Sequence, residues 1–484
     1  AGVWGAPVLW GGIEGGRALV AFDGYPWFLV GHPLIDAPRW GSGVPSLAYP
    51  ASLIGAMGVS ALAAGVSGLV VDLWSRRPRR WVGVGLALLG VWIGLGAFVA
   101  PASGRAGSMR IGVVQTNVSQ DNKIGWRPVD QLRDFQRFAE LTVAAARQGP
   151  DLIVWPETMA PGQSLDPVSL RTEQAEELVW EIELEGEGIV ELGTTELVEQ
   201  LLSMQEMLGV PMLIGAEGYD NLRFVERADG KFVKDADAFY NSAYIVTGGR
   251  AQEPGYHKIK LTPFGEVMPY ISLWPWLEAQ VTAVGARGMS FDLSTAPRVV
   301  RPDTVLRDGS RVALATPICF EATMSGVCRR LVFERGERRA GVMINLTNDG
   351  WFGDAASGRR AHQLCARWRC VELGTSMVRV ANTGISCVID ASGRVVREGV
   401  DPVPGESGEH ATGGLERVDG VLVTDVALAA GVPVYARIGD LVAWGLIAGV
   451  GLCLVLALRG GSQSGEAGSA EDEGRTDAPA RSNQ

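Results

Sequence analysis

The sequence is poor in the patterns that announce a metal or redox centre. Its six cysteines (Cys319, Cys328, Cys365, Cys370, Cys387 and Cys453) never fall as a Cys-x-x-Cys pair. Its four histidines (His32, His257, His362 and His410) have no metal-ligand spacing. No Gly-x-Ser-x-Gly hydrolase elbow occurs. Gly83-x-Gly85 lies within an apolar run and cannot be a phosphate loop. Positive charge is also in deficit: the net charge of −11 argues against a nucleic-acid partner. The start lacks a basic segment followed by a cleavage site, so it is not a signal peptide. Residues 1–13 are apolar but too short to span a bilayer, and they read as a truncated helix with earlier spans missing.

Charge is absent altogether from three stretches, 40–71, 81–104 and 441–458. A bilayer needs roughly 20 apolar residues, so spans are expected at about 50–72, 82–102 and 439–458. A buried core helix is the bland alternative for each. Between the first two lies Ser75-Arg76-Arg77-Pro78-Arg79-Arg80, whose four arginines place that loop in the cytoplasm. The region 109–430 then lies on the outer side, and the last span returns the chain to Arg459. This divides the 484 residues into a membrane region (1–108, with an outer loop 14–49), a soluble domain (109–430), a final helix (431–459) and a disordered cytoplasmic tail (460–484). In the outer loop the patch Tyr25-Pro26-Trp27-Phe28-Leu29-Val30 suits an interface with lipid or with the soluble domain. The Glu-rich stretch 173–199 reads as a solvated insertion.

The soluble region alternates short apolar runs with helical periodicity. Strands are expected at 109–117, 151–155, 211–215, 239–247, 312–318, 341–347, 377–381 and 385–390, and helices at 129–147, 196–208 and about 359–373. That pattern indicates an α/β domain with sheets buried on both faces. The polar residues of interest fall where strands end, which is where ligands bind in such folds.

Three stretches hold the chemistry: Trp155-Pro156-Glu157, Tyr256-His257-Lys258, and Ile318-Cys319-Phe320-Glu321. A cysteine at a strand-to-helix turn can act as a nucleophile. A carboxylate kept from water can serve as its base, and a lysine can stabilise an oxyanion. Spacing alone leaves the plainer alternative open, an inert core cysteine.

At these stretches the sequence resembles the nitrilase superfamily, over about 109–430. Trp155-Pro156-Glu157, Tyr256-x-Lys258 and Cys319-Phe320-Glu321 match its Glu–Lys–Cys segments, supported by Tyr240-Asn241-Ser242 and Asn348-Asp349-Gly350-Trp351-Phe352-Gly353. The resemblance implies an α-β-β-α sandwich inserted between transmembrane helices. It also implies Glu157 as general base, Lys258 as oxyanion stabiliser and Cys319 as nucleophile; Lys260 is the competing lysine. More narrowly, Leu261-Thr262-Pro263-Phe264-Gly265-Glu266, Tyr25-Pro26-Trp27 and Pro433-Val434-Tyr435-Ala436-Arg437 resemble the apolipoprotein N-acyltransferases of bacterial inner membranes. Phe320 stands where tyrosine is common.

That resemblance implies further site residues. Glu266 and Glu321 are auxiliary acidic groups, with Phe320 and Asn241 beside them; Trp126 lies near the substrate cavity; Arg379, Asn382 and Gly384 frame the cleft. It implies a phospholipid acyl donor, a diacylglyceryl-lipoprotein acceptor, a two-step thioester mechanism without cofactor or metal, and a multi-pass protein with its catalytic domain on the periplasmic face. A membrane-tethered amidohydrolase and a non-catalytic scaffold are the alternatives. His362 could touch the cleft or be structural. Residues 267–281, with three large aromatics, read as a lipid-dipping arm.

Overall fold

The computed structural model describes residues 2–37, 46–75, 78–98, 104–118, 126–162, 164–184, 188–228, 230, 232–271, 274, 276, 280, 293–403 and 415–472. Two six-membered strand paths form the centre. The first runs β5-β4-β3-β2-β1-β12, where β1 is Arg105–Gln115, β2 Leu152–Val154, β3 Met212–Asp220, β4 Ala238–Thr247, β5 Tyr256–His257 and β12 Gly420–Ala429; the short strand Arg250–Ala251 also pairs with β4. The second runs β6-β7-β8-β9-β10-β11, from Asp303–Val305 through Arg311–Ala315, Val342–Thr347, Met377–Ala381 and Cys387–Ile389 to Val395–Glu398.

Strand alternation explains why both sheets are buried on two faces. In β2, Leu152 and Val154 face the space between the sheets, while Ile153 and Trp155 face outward. The outward side is covered by helices α4 (Pro128–Ala146) and α6 (Glu196–Leu208), with Phe138 meeting Trp155 edge to face at 5.4 Å. The second sheet is covered by α7 (Ser325–Val332) and α8 (Ala356–Leu373). The result is the expected α-β-β-α sandwich.

The remaining helices are α1 (Gly2–Leu19), α2 (Ala51–Trp74), α3 (Arg79–Phe98), α5 (Pro167–Ala175), α9 (Val434–Ile438) and α10 (Leu441–Asp472). Among the described residues two helices are long and apolar enough to cross a membrane, Ala51–Trp74 and Leu441–Arg459. The third expected span falls on α3, whose apolar stretch Arg80–Gly96 is shorter. The last helix, α10, has its C-terminal bound at Asp472, beyond the expected span. Residues 473–484 lie outside the described residues.

Helix α1 continues beyond the apolar run to include Glu14 and Arg17. Glu14 accepts from the Val30 amide (2.8 Å) and from the Ser60 hydroxyl, and Arg17 donates to the carbonyls of Tyr25 (3.2 Å) and Trp27 (2.5 Å). These bonds pin the 25–30 loop. The Glu-rich stretch, expected as a solvated insertion, is folded. It holds a hairpin, Val179–Leu184 with Gly188–Gly193, in which Glu181 and Glu183 point to solvent and Ile182 enters the outer core.

Candidate active site

Glu157 follows β2, Lys258 follows β5 and Cys319 follows β7, so three strand ends deliver three side chains to one place. Glu157 and Cys319 line a cavity of about 300 Å³ together with Glu266, Phe320, Asn348 and His362. The Lys258 side chain is fully buried, with Nζ 3.8 Å from Glu157 Oε1 and 2.6 Å from Glu266 Oε2. Lys260 points elsewhere, its ammonium paired with Asp23 at the surface.

Each carboxylate in the cluster also accepts from neutral donors. Asn241 Nδ2 donates to Glu157 Oε1 at 2.7 Å and reaches Glu266 Oε1 at 3.4 Å. The Asn348 amide donates to Glu157 Oε2 (2.7 Å) and the Thr262 amide to Glu266 Oε2 (2.7 Å). Burial raises the Glu157 carboxyl above its ordinary range; Lys258 opposes this and Glu266 adds to it. Burial alone would lower the Lys258 ammonium, but Glu266 and Glu157 override it and the net shift is upward. Lys258 likewise outweighs burial at Glu266, whose carboxyl is lowered. The Cys319 thiol is pushed up by burial and by the Glu157 carboxylate, so it needs a base to ionise.

Cys319 begins a single helical turn, Cys319–Thr323, and its φ of 49° lies in the left-handed region that side chains rarely adopt. Glu321 braces that turn. Its Oε1 accepts from the amides of Ile259 (2.8 Å) and Lys260 (3.0 Å), its Oε2 from the Ile318 amide (2.8 Å) and the Tyr256 hydroxyl (2.7 Å). The loop carrying Lys258 is thereby tied to the turn carrying Cys319. Burial pushes the Glu321 carboxyl up to about 7, against the donors that hold it down.

The mouth is aromatic. Tyr25 stacks on Trp27 (5.8 Å) and on Phe320 (6.3 Å), and Trp27 meets Phe352 and His362, each at 5.6 Å. The outer-loop patch therefore contacts the α/β domain and walls the cavity. Phe264 and Trp351 line it while remaining about half exposed. Of the expected arm, Trp274 and Trp276 are exposed; residues 272, 273, 275, 277–279 and 281 lie outside the described residues.

Trp126 is not among the residues lining the cavity; its indole N–H donates to Asp134 (2.9 Å) and its ring packs against Phe138 on the outer side of the first sheet. The amphipathic face of α4 gives that ring an apolar seat there. Asn382 lies behind the site, joining the end of β1 to Asn348 (3.0 Å). His362 does reach the cleft. The contributions of Asn348 and Thr262 rest on backbone amides, which no residue pattern marks.

Residues 110–404 match the carbon-nitrogen hydrolase family. The chain is 27% identical to an apolipoprotein N-acyltransferase of Geobacter metallireducens over 94% of this chain and 74% of the relative. It is 30% identical to that of Bradyrhizobium diazoefficiens, over 91% and 70%. The chain belongs to the apolipoprotein N-acyltransferase family of carbon-nitrogen hydrolases. The apolipoprotein N-acyltransferase of Methylococcus capsulatus is similar at 29% identity, over 91% and 71%. An amidase from Nesterenkonia sp. AN1 aligns over 70% of this chain and 95% of its own, with 15% identity and a TM-score of 0.40. As a member of this family the chain is an N-acyltransferase.

Proposed function

We propose that the enzyme moves a fatty acyl group from a phospholipid, through a thioester on Cys319, to the N-terminal amine of a diacylglyceryl-cysteine lipoprotein. The observation supporting this reading is the convergence of Glu157, Lys258 and Cys319 at the floor of a cavity walled by Tyr25, Trp27 and Phe352. Such a site has a polar, reactive end and an apolar approach.

In the first step Glu157 takes the Cys319 proton and the thiolate adds to the ester carbonyl. Lys258 balances the oxyanion. The carbon–oxygen ester bond then breaks, the leaving lysophospholipid oxygen takes the proton from Glu157, and the thioester remains. In the second step the acceptor amine attacks that carbonyl. Its proton passes through Glu157 to the departing Cys319 sulfur, which restores the free thiol. Atoms and charge balance without a cofactor.

In this reading α2, α3 and α10 cross the inner membrane. The arginine-rich loop 75–80 faces the cytoplasm and the 109–430 domain faces the periplasm. The strongly exposed apolar side chains of α10, such as Leu452, Leu454 and Leu458, suit contact with lipid. Trp274 and Trp276 suit the interface between lipid and water.

The test is intact mass of the protein purified with phospholipid, compared with Cys319→Ser, before and after neutral hydroxylamine. The expected result is one acyl adduct on the wild type, removed by hydroxylamine and absent from the variant. An adduct that persists on Cys319→Ser would overturn the scheme.

A further inference from the structure

Arg379 is a charged residue in the middle of β9, a strand otherwise apolar, and it is completely buried. Its guanidinium reaches in two directions. Nη1 donates to Asn345 Oδ1 at 2.9 Å. Nη2 donates to Asp349 Oδ2 at 2.5 Å and lies 3.1 Å from His362 Nδ1. Asp349 Oδ1 is itself 3.0 Å from His362 Nδ1.

Both arms end at the same atom. The Asn345 amide nitrogen donates to the Pro317 carbonyl (2.9 Å) and reaches the Cys319 carbonyl at 3.4 Å. His362 Nε2 is 3.2 Å from that Cys319 carbonyl. A carbonyl oxygen only accepts, so Nε2 carries the proton in this bond, and Nδ1 of the neutral ring then accepts from Arg379 Nη2 rather than donating to Asp349. The arrangement has no slack: a Cβ on Gly384 would lie 2.1 Å from Asp349 Oδ2. On its open side His362 is stacked by Trp27 at the cavity wall.

We propose that Arg379, Asp349, Asn345 and His362 form a positioning network that grips the carbonyl of Cys319, holds that residue at its positive φ, and so aims the thiol at Glu157. None of the four is a catalytic residue in this scheme. The left-handed conformation is unfavourable for a cysteine and persists only where its surroundings over-determine it. Two converging donors on the residue's own carbonyl are such a restraint. This rests on the reading that Cys319 takes the acyl group.

The test follows single-turnover acylation of Cys319 by intact mass, in the full chain, with a phospholipid of defined acyl chain at increasing concentration. His362→Leu removes the donor and leaves a branched apolar side chain of similar length. A nucleophile misplaced by about 1 Å costs roughly 100-fold, so the saturating rate should fall by about that factor. Because His362 also lines the cavity, the half-saturating phospholipid concentration does not separate alignment from binding, and the glutamine–asparagine pair makes that separation. His362→Gln, whose amide can donate to the same carbonyl, should recover most of the rate. His362→Asn, too short to reach it, should not, and it decides the matter if His362→Leu does not fold. Acylation of His362→Leu at the wild-type rate would overturn the network, as would a glutamine variant no better than asparagine. A wild type that never forms the thioester would overturn the proposed function instead, so the two failures are separable.

Discussion

Replacing Glu321 by glutamine changes one oxygen to an amide nitrogen and leaves the shape intact, so the consequence can be worked from the four bonds it receives. The two oxygens serve two donors each: Ile259 and Lys260 amides on one, Ile318 amide and Tyr256 hydroxyl on the other. The new NH2 group cannot accept, so one pair must face it. The hydroxyl of Tyr256 can rotate and accept, which puts the NH2 on that side and strands the Ile318 amide. A stranded buried donor costs about 1–3 kcal/mol, and because burial already raises this carboxyl to about 7, losing its charge adds little. A loss of about 1–3 kcal/mol is below the usual stability of a domain, so the protein should still fold. It should unfold at a temperature lower by about 3–10 °C. The brace also fixes Lys258 relative to Cys319, so the saturating acylation rate should fall by roughly 10–100-fold. Glu321 is not a cavity-lining residue, so the concentration of phospholipid giving half-maximal rate should barely move. Thermal unfolding in detergent, run beside single-turnover acylation, checks both. A variant as stable and as fast as wild type would refute the brace. A slow variant with unchanged stability would refute it in another way, by showing that Glu321 acts on the substrate itself.

Glu157 works ionised and its carboxyl is raised, so acylation should fall away as pH drops through a value above the ordinary glutamate range. Glu266→Gln removes the second carboxylate that keeps Glu157 high and frees Lys258 to pair with Glu157. The acid limb should therefore move to lower pH, which initial rates between about pH 4 and 8 would register; a limb that moved upward would contradict the assigned coupling. Lys258→Met leaves Glu157 and Glu266 buried without their cation, a type of break that costs about 3–5 kcal/mol, and should abolish acylation in a protein visibly easier to melt. Gly55→Ala should destabilise α2 by about 1–3 kcal/mol: Gly55 has φ 76°, and an added Cβ would sit 2.7 Å from the Tyr435 ring. An unchanged melting curve for that variant would be inconsistent with the kink.

The central strands were legible because burial on both faces leaves uninterrupted apolar runs. The 341–347 run corresponds to Val342–Thr347, and the 239–247 run to Ala238–Thr247. The strand Gly420–Ala429 was not recognised, although it pairs with β1 along nearly its whole length. It is an edge strand with part of one face open, as at Val423 and Asp425, and the polar pair Thr424-Asp425 breaks the apolar run that marks a central strand. The hairpin Val179–Leu184/Gly188–Gly193 was hidden by its glutamates, whose strand-period alternation with Ile182 is visible only once the frame is known. At the site, residue types pointed to Glu157, Lys258 and Cys319, but the amides of Asn348 and Thr262 have no sequence signature. The signal for the Arg379 network was present in plain form. An arginine within Met377–Ala381 and an asparagine within Val342–Thr347 are polar groups in strands that bury everything, and such groups need partners.

The placement of charge explains why the cavity needs the outer loop. Glu157, Lys258 and Glu266 are two carboxylates and one ammonium, all nearly removed from water, and they interact strongly only while water stays out. The α/β domain supplies the floor and part of the wall through Phe320, Phe352 and His362. Tyr25 and Trp27 complete that wall, and they are held both by Arg17 of α1 and by packing on Phe320, Phe352 and His362 of the domain they cover. Glu372 of α8 meets the amide of Ala56 (2.7 Å), just after the Gly55 kink in α2. The wall over the thiol and the domain beneath it are thus anchored to adjoining apolar helices. On the proposed reaction, an acyl chain reaching Cys319 passes Tyr25 and Trp27.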